Sequence, residues 1–199
     1  GFTGGLELPD GLTKIEDHAF IGCSGLTGDL VLPNELIEIG EWAFASCSGL
    51  TGDLVIPDGV VKIGSSAFSF CSDLTGKLEL PDGLTKIEDS AFGGCSGLTG
   101  DLELPDGLTE IGDHAFSGCT SLTSIEIPDS VISIGIGAFY GCTGLTSIVV
   151  DKNNSVYDSR NNCNAIVNTD SNSLIFGCKM TKIPNSVTSI GDSAFNGCT

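Results

Sequence analysis

Phenylalanine preceded by alanine stands at Phe20, Phe44, Phe68, Phe92, Phe116, Phe139 and Phe195. A cysteine follows three residues later each time, at Cys23, Cys47, Cys71, Cys95, Cys119, Cys142 and Cys198. A proline lies eleven residues before each ring, at Pro9, Pro33, Pro57, Pro81, Pro105, Pro128 and Pro184, and the chain has no other proline. The step is 24 residues four times, then 23, then 56. Seven registered copies of a three-part signature do not arise by chance. Self-similarity at this period is the mark of a chain built from stacked units, each contacting its neighbours.

One unit, Pro81 to Leu104, shows what is being stacked. Its end, Leu102-Glu103-Leu104, alternates as a strand does. Its middle, Ile87 to Cys95, spaces apolar residues by about one helical turn, which predicts a short helical or 3₁₀ bend. Pro81 ends the preceding piece, and Gly83, Gly93, Gly94, Gly97 and Gly100 permit tight bends. Such a unit cannot bury its apolar edge alone. The predicted fold is therefore one repeat solenoid over residues 1–199, with a parallel β-sheet on one face and short bends on the other.

The period breaks once, at residues 151–180. Cys163 to Val167 and Ser173 to Cys178 are β-prone runs around Asn168-Thr-Asp-Ser-Asn172, which predicts a loop and β-hairpin inserted at one edge of the solenoid. A symmetric hairpin would set Cys163 opposite Cys178, the one pair placed for a disulfide. After Cys119 the strand motif also changes, from GLTGDLEL to SLTSIEI, one residue shorter.

Charge decides what kind of partner to expect. Lysine and arginine number 8 against 26 acids, a net −18. Residues 1–147 hold 22 acids and 4 bases, so the whole excess lies there. Nucleic acid and anionic membrane are poor partners for such a chain. No apolar run approaches a membrane span, so direct membrane insertion is not expected.

The strand register places the negative charge. The residues between the inward leucines are Glu7, Val31, Val55, Glu79, Glu103, Glu126 and Val149. Beside them run Asp29, Asp53, Lys77 and Asp101, then Ser124 and Ser147. With strands about 4.8 Å apart, this is an acidic sheet face with an apolar pair at Val31 and Val55. Surface carboxylates keep a repeat protein soluble and block edge pairing. Alternatively, like charges at this spacing invite a cationic protein or calcium to neutralise them.

Other residue types carry less. One sulfur per 24 residues forms a row, never a tetrahedron, so the repeat cysteines read as buried small hydrophobes and no metal site is predicted. His18 and His114 share a register but stand four repeats apart, and no nucleophile pattern accompanies either. No enzyme and no cofactor are expected. Trp42, Phe70 and Tyr140 replace serine, glycine or histidine beside Ala-Phe. They could anchor a partner as an aromatic patch or cap gaps between coils.

The signature LTSIxIPxSVxSIGxxAFxGCT, at Leu122–Thr143 and without its leading strand residues at Ile183–Thr199, resembles the BspA-like leucine-rich repeats. The insert YDSRNNCNAIVNTDSNSLIFGCK resembles a module common in those arrays. The resemblance covers nearly the whole chain. It implies a right-handed solenoid, on proteins that are secreted or attached to the surface of mucosal and gut microbes. It also implies a non-catalytic adhesion module whose ligand is a host matrix protein or another cell-surface protein. A structural spacer with no ligand is the competing expectation. Both ends fall in mid-repeat, so the chain reads as a fragment of a longer array whose secretion signal and anchor lie outside it.

Overall fold

The computed structural model describes residues 3–198, and its architecture is a stack of turns of chain. Two rows of short strands run along it, grouped into small parallel sheets that each join two or three successive turns. One row is Lys14–Ile15, Glu38–Ile39 and Lys62–Ile63, and then Lys86–Ile87, Glu110–Ile111 and Ser133–Ile134. Lys14 lies opposite Glu38 and Glu38 opposite Lys62; Lys86 lies opposite Glu110. The other row is the predicted sheet face. It pairs Leu54–Val55 with Leu78–Glu79, and stacks Gly100–Glu103, Leu122–Ile127 and Ser147–Val150.

In the 24-residue units Gly28, Gly52 and Gly100 sit at φ 86°, 80° and 83°, a left-handed conformation that favours glycine and bends the chain at the sheet-face strand. The shorter LTSI motif loses that residue, and the strand runs unbroken over Leu122–Ile127. A register shift between Leu122 and Ser124 absorbs the change of step.

The core is a column. The rings of Phe20, Phe44, Phe68, Phe92, Phe116 and Phe139 stack with centroids 5.2–5.7 Å apart and planes within 10° of parallel. Each ring between Phe44 and Phe139 is fully buried, and Leu, Ile and Val from both strand rows close around it. Beside the rings runs a ladder of thiols. The Sγ of Cys47, Cys71, Cys95, Cys119 and Cys142 donates to the carbonyl of Phe20, Phe44, Phe68, Phe92 and Phe116, at 2.9–3.2 Å. Burial pushes the Cys47 thiol up to about 11, and those of Cys95 and Cys142 to about 12. These are the buried small hydrophobes the spacing predicted.

The bends differ from expectation. They are chains of tight turns, and among the described residues the only 3₁₀ segment is Arg160–Asn162 in the insert. The reason is local. The residue two before each phenylalanine (His18, Trp42, Ser66, Ser90, His114, Gly137 and Ser193) has φ between 54° and 65°, which stops a right-handed helical run.

The insert also differs from expectation. It occupies a place within the stack, ahead of the last repeat. Tyr157–Asp158, Ala165–Asn168 and Ser173–Gly177 form an antiparallel sheet, and Ser173–Gly177 then pairs in parallel with Ser189–Ile190 of that repeat. Phe176 takes the next position in the ring column, 5.6 Å from Phe139 and tilted by 40°. Phe195, which the sequence register put in that position, packs with Cys163, Ala165, Val167 and Leu174 on the other side of the hairpin.

A bulge in that hairpin separates its cysteines. Val167 faces Leu174, but beyond the bulge Ile166 faces Phe176 and Ala165 faces Gly177, a shift of one residue. Continuing that register sets Asn164, in place of Cys163, across from Cys178. A one-residue slip turns a side chain to the opposite face. Cys178 accordingly joins the main core while Cys163 joins the smaller one, and both thiols are free.

Candidate functional site

The sheet face carries the predicted row outward. Glu7, Glu79, Glu103 and Glu126 are exposed, as are Val31 at 71 % and Val55 at 46 %. A shallow trough of about 500 Å³ runs over Glu79, Asp82, Glu103 and Asp106. A second, of about 540 Å³, continues it over Glu126, Asp129 and Asp151. Among the described residues none of these carboxylates enters an ion pair. Nor does any group of three or more His, Cys, Asp or Glu converge as a metal ion requires.

The aspartates of the neighbouring row behave differently, because each is used by the next turn. Asp53 Oδ1 accepts from the Lys77 N–H at 2.7 Å, and Asp29 Oδ1 from the Thr51 hydroxyl at 3.1 Å. Asp101 Oδ1 accepts from the hydroxyls of Ser124 and Thr123 at 2.5 and 3.0 Å. Those two hydroxyls hold its carboxyl below the usual carboxylate range, Ser124 contributing most. The three aspartates therefore join turns together, and the glutamate row is left facing solvent.

The second strand row, which sequence reasoning passed over, neutralises itself. Glu38 takes Lys62 at 2.7 Å and Lys14 at 3.4 Å, while Lys86 reaches Glu88 at 3.0 Å and Glu110 at 3.6 Å. The hydrogen bond from Lys62 lowers the Glu38 carboxyl, with Lys14 adding to it. The signal was legible in the alternation Lys14, Glu38, Lys62 at 24-residue spacing. Three of the four bases in residues 1–147 are spent here, leaving Lys77 alone beside the acidic trough.

The three aromatic residues do not form one patch. Trp42 and Phe70, 39 % and 62 % exposed, lie on adjacent turns; the Phe70 ring covers Gly94, where an added Cβ would meet it at 2.5 Å. Tyr140 is three turns beyond Phe70, about 14 Å along the stack. It packs edge-on against His114, and its hydroxyl donates to the Asp192 carbonyl, which ties in the last repeat. His18 and His114 occupy the same row position four turns apart and share no partner.

Large exposed hydrophobics lie toward both ends of the stack and are missing from its middle. Residues 25–72 present Val31, Ile37, Trp42, Val55, Val61 and Phe70, and the large exposed hydrophobics then stop until Ile132. In the next two turns the positions of Val55, Val61, Trp42 and Phe70 hold Glu79 and Glu103, Thr85 and Thr109, Ser90 and His114, and Gly94 and Gly118. On the sheet face alone, exposed Val31 and Val55 give way to Glu79, Glu103 and Glu126.

Comparison with known proteins bears on this arrangement. Residues 4–99 and 75–199 match the profile of the BspA type leucine rich repeat region, in six copies. Among solved structures, a leucine rich cell surface protein of Faecalibacterium prausnitzii is 29 % identical with a TM-score of 0.66, over 92 % of this chain and 62 % of its own. A leucine-rich repeat protein of Eubacterium ventriosum is 24 % identical with a TM-score of 0.56, over 73 % of this chain and 45 % of its own. The pneumococcal vaccine antigen PcpA, 19 % identical with a TM-score of 0.58, is covered over 56 % of its length by the whole of this chain. The last two likenesses concern the fold alone. The chain spans about three-fifths of the Faecalibacterium protein. No curated protein matches the sequence.

Proposed function

Because this chain belongs to the BspA-type leucine-rich repeat family, we propose that it is a non-catalytic protein-binding segment of a surface-displayed or secreted adhesin. Its ligand docks on the sheet face. The observation that carries this reading is the contrast between the two strand rows. Lysines neutralise the glutamates of one, whereas Glu79, Glu103 and Glu126 of the other stand unpaired over a continuous trough. Acids occur on other sides of the stack too, but on the sheet face the glutamates line up in successive turns with no lysine bridging them. The partner is a protein with a basic stretch for the trough and apolar side chains for Val31 and Val55. Contact between such charges steers association and sets specificity more than it adds affinity.

The likeness to the leucine rich cell surface protein of Faecalibacterium prausnitzii supports display outside the cell. The test is binding of the immobilised chain to a panel of host matrix and microbial surface proteins at low and high salt. The expected ligand binds at low salt, weakens as salt screens charges beyond about 8 Å, and is lost with the triple variant Glu79→Gln, Glu103→Gln, Glu126→Gln. A chain that bound nothing in the panel, with a triple variant indistinguishable from the parent, would leave it a spacer.

A further inference from the structure

The hydrogen bonds between turns follow one rule until Tyr140. The N–H two before each phenylalanine donates to the next turn: His18 to Glu41, Trp42 to Ser65, Ser66 to Asp89, Ser90 to Asp113 and His114 to Ile136. The phenylalanine N–H does likewise, Phe20 to Ala43 through Phe116 to Ala138. Gly137 and Phe139 come next, with the same backbone form (Gly137 at φ 65°). Neither N–H has an acceptor among the described residues.

Their counterparts are already taken. Asp192 O, the carbonyl Gly137 should reach, accepts the Tyr140 hydroxyl. Ala194 O, the counterpart for Phe139, accepts from Gly177 of the hairpin at 2.9 Å. The stack closes again two residues later, where Gly141 donates to Asn196 at 3.4 Å. The hairpin thus enters the stack as a wedge. It holds the last repeat away from the turn at 134–139 on one side only, leaving a cleft of about 270 Å³.

Ile134, Ile136, Phe139, Ile175 and Phe176 line that cleft, and Asp192 stands on its rim. Buried backbone N–H groups demand an acceptor, and Gly137 and Phe139 are buried. Apolar walls with a few convergent polar groups make a ligand site, and this volume, just below the usual range of about 300–1,000 Å³, suits a small ligand. We infer that the cleft between the hairpin and the last repeat binds a compact apolar molecule bearing a neutral carbonyl, an amide or ester whose oxygen accepts from the Gly137 and Phe139 N–H groups. A carboxylate fits the two donors equally but meets the Asp192 carboxylate on the rim. The site is separate from the acidic sheet face and does not depend on it.

The experiment follows the two amide resonances in ¹⁵N-labelled protein at neutral pH. The neutral probe is N-acetyl-leucine methylamide, and the anionic one is N-acetyl-leucine. Both amides should shift saturably with the neutral probe. The anion should bind about fivefold more weakly, the size of one exposed charge interaction. Asp192→Asn should close that gap, and Ile136→Trp, at an exposed position, should block both probes. Either of two results overturns the inference: amides that do not move up to the solubility limit, or hydrogen exchange at Gly137 and Phe139 as slow in the free protein as at Phe116.

Discussion

Single residues matter here in proportion to their place in the ring column. Phe92 is stacked between Phe68 and Phe116 and is wholly buried. Phe92→Ala should cost about 3–5 kcal/mol, because neighbouring turns cannot collapse into the gap. Glu103→Gln, on the exposed face, should cost under about 0.5 kcal/mol. Urea titration of both separates the faces, and equal midpoints would mean they are misassigned. The thiols give a second measure. Burial holds Cys47, Cys95 and Cys142 at about 11 to 12, so at pH 8 they are protonated as well as covered. A thiol reagent should label native Cys23 and Cys198, both partly exposed, long before these three, and should reach all of them after denaturation.

At the scale of elements, the polar opening of the insert is a cap. Asn154 is buried; its Nδ2 donates to the carbonyls of Pro128 and Val131 at 2.7 and 2.9 Å, and its Oδ1 accepts from the N–H of Val156 and Tyr157. The Tyr157 hydroxyl accepts from the Ile134 N–H and the Ser159 hydroxyl from the Val150 N–H, which finishes both strand rows. Asn154→Leu would strand those groups, each at about 1–3 kcal/mol when buried, and should be among the most damaging changes outside the core. Thermal melting of that variant against Asn153→Leu, at an exposed position, checks it. The charge row predicts a pH effect. Lys62, aided by Lys14, lowers the Glu38 carboxyl below its unfolded value. Such a group contributes stability that is complete above the unfolded pKa and is lost as pH falls through the folded one. Acid also relieves repulsion among the unpaired carboxylates, so the informative quantity is the difference in melting temperature between parent and Glu38→Gln. That difference should shrink between about pH 5 and pH 3.

At the scale of the molecule, charge separates along and around the stack. Residues 1–147 carry the entire net −18, and of their four bases only Lys77 stands beside the sheet-face acids. A calcium-bridged glutamate ladder would need oxygen ligands in short-range contact with the ion, and binding to the folded state would raise its melting temperature. Glu79, Glu103 and Glu126 are one strand spacing apart and no metal-sized cluster forms among the described residues. Millimolar calcium and magnesium should therefore shift melting alike, in the parent and in the triple glutamine variant. A calcium-specific rise confined to the parent would show a metal-bridged face instead.

The repeat signature by itself determined the column of rings, the row of buried thiols and the outward glutamates, because a stacked chain puts equivalent residues in equivalent surroundings. Periodicity fixes everything that depends only on the next copy. Three things lay beyond it. The identity of the aspartates as braces between turns depends on hydroxyl and N–H groups that meet only when turns are superposed, as at Asp101 with Ser124. The backbone of the bends depends on left-handed residues as different as Trp42 and Ser90, which no apolar spacing reveals. The place of the insert was decided last. Phe176 fits the ring column and the bulge turns Cys178 inward beside it, so the hairpin enters the stack ahead of the final repeat. Non-local packing settled that choice, and the cleft at Gly137 and Phe139 is its consequence.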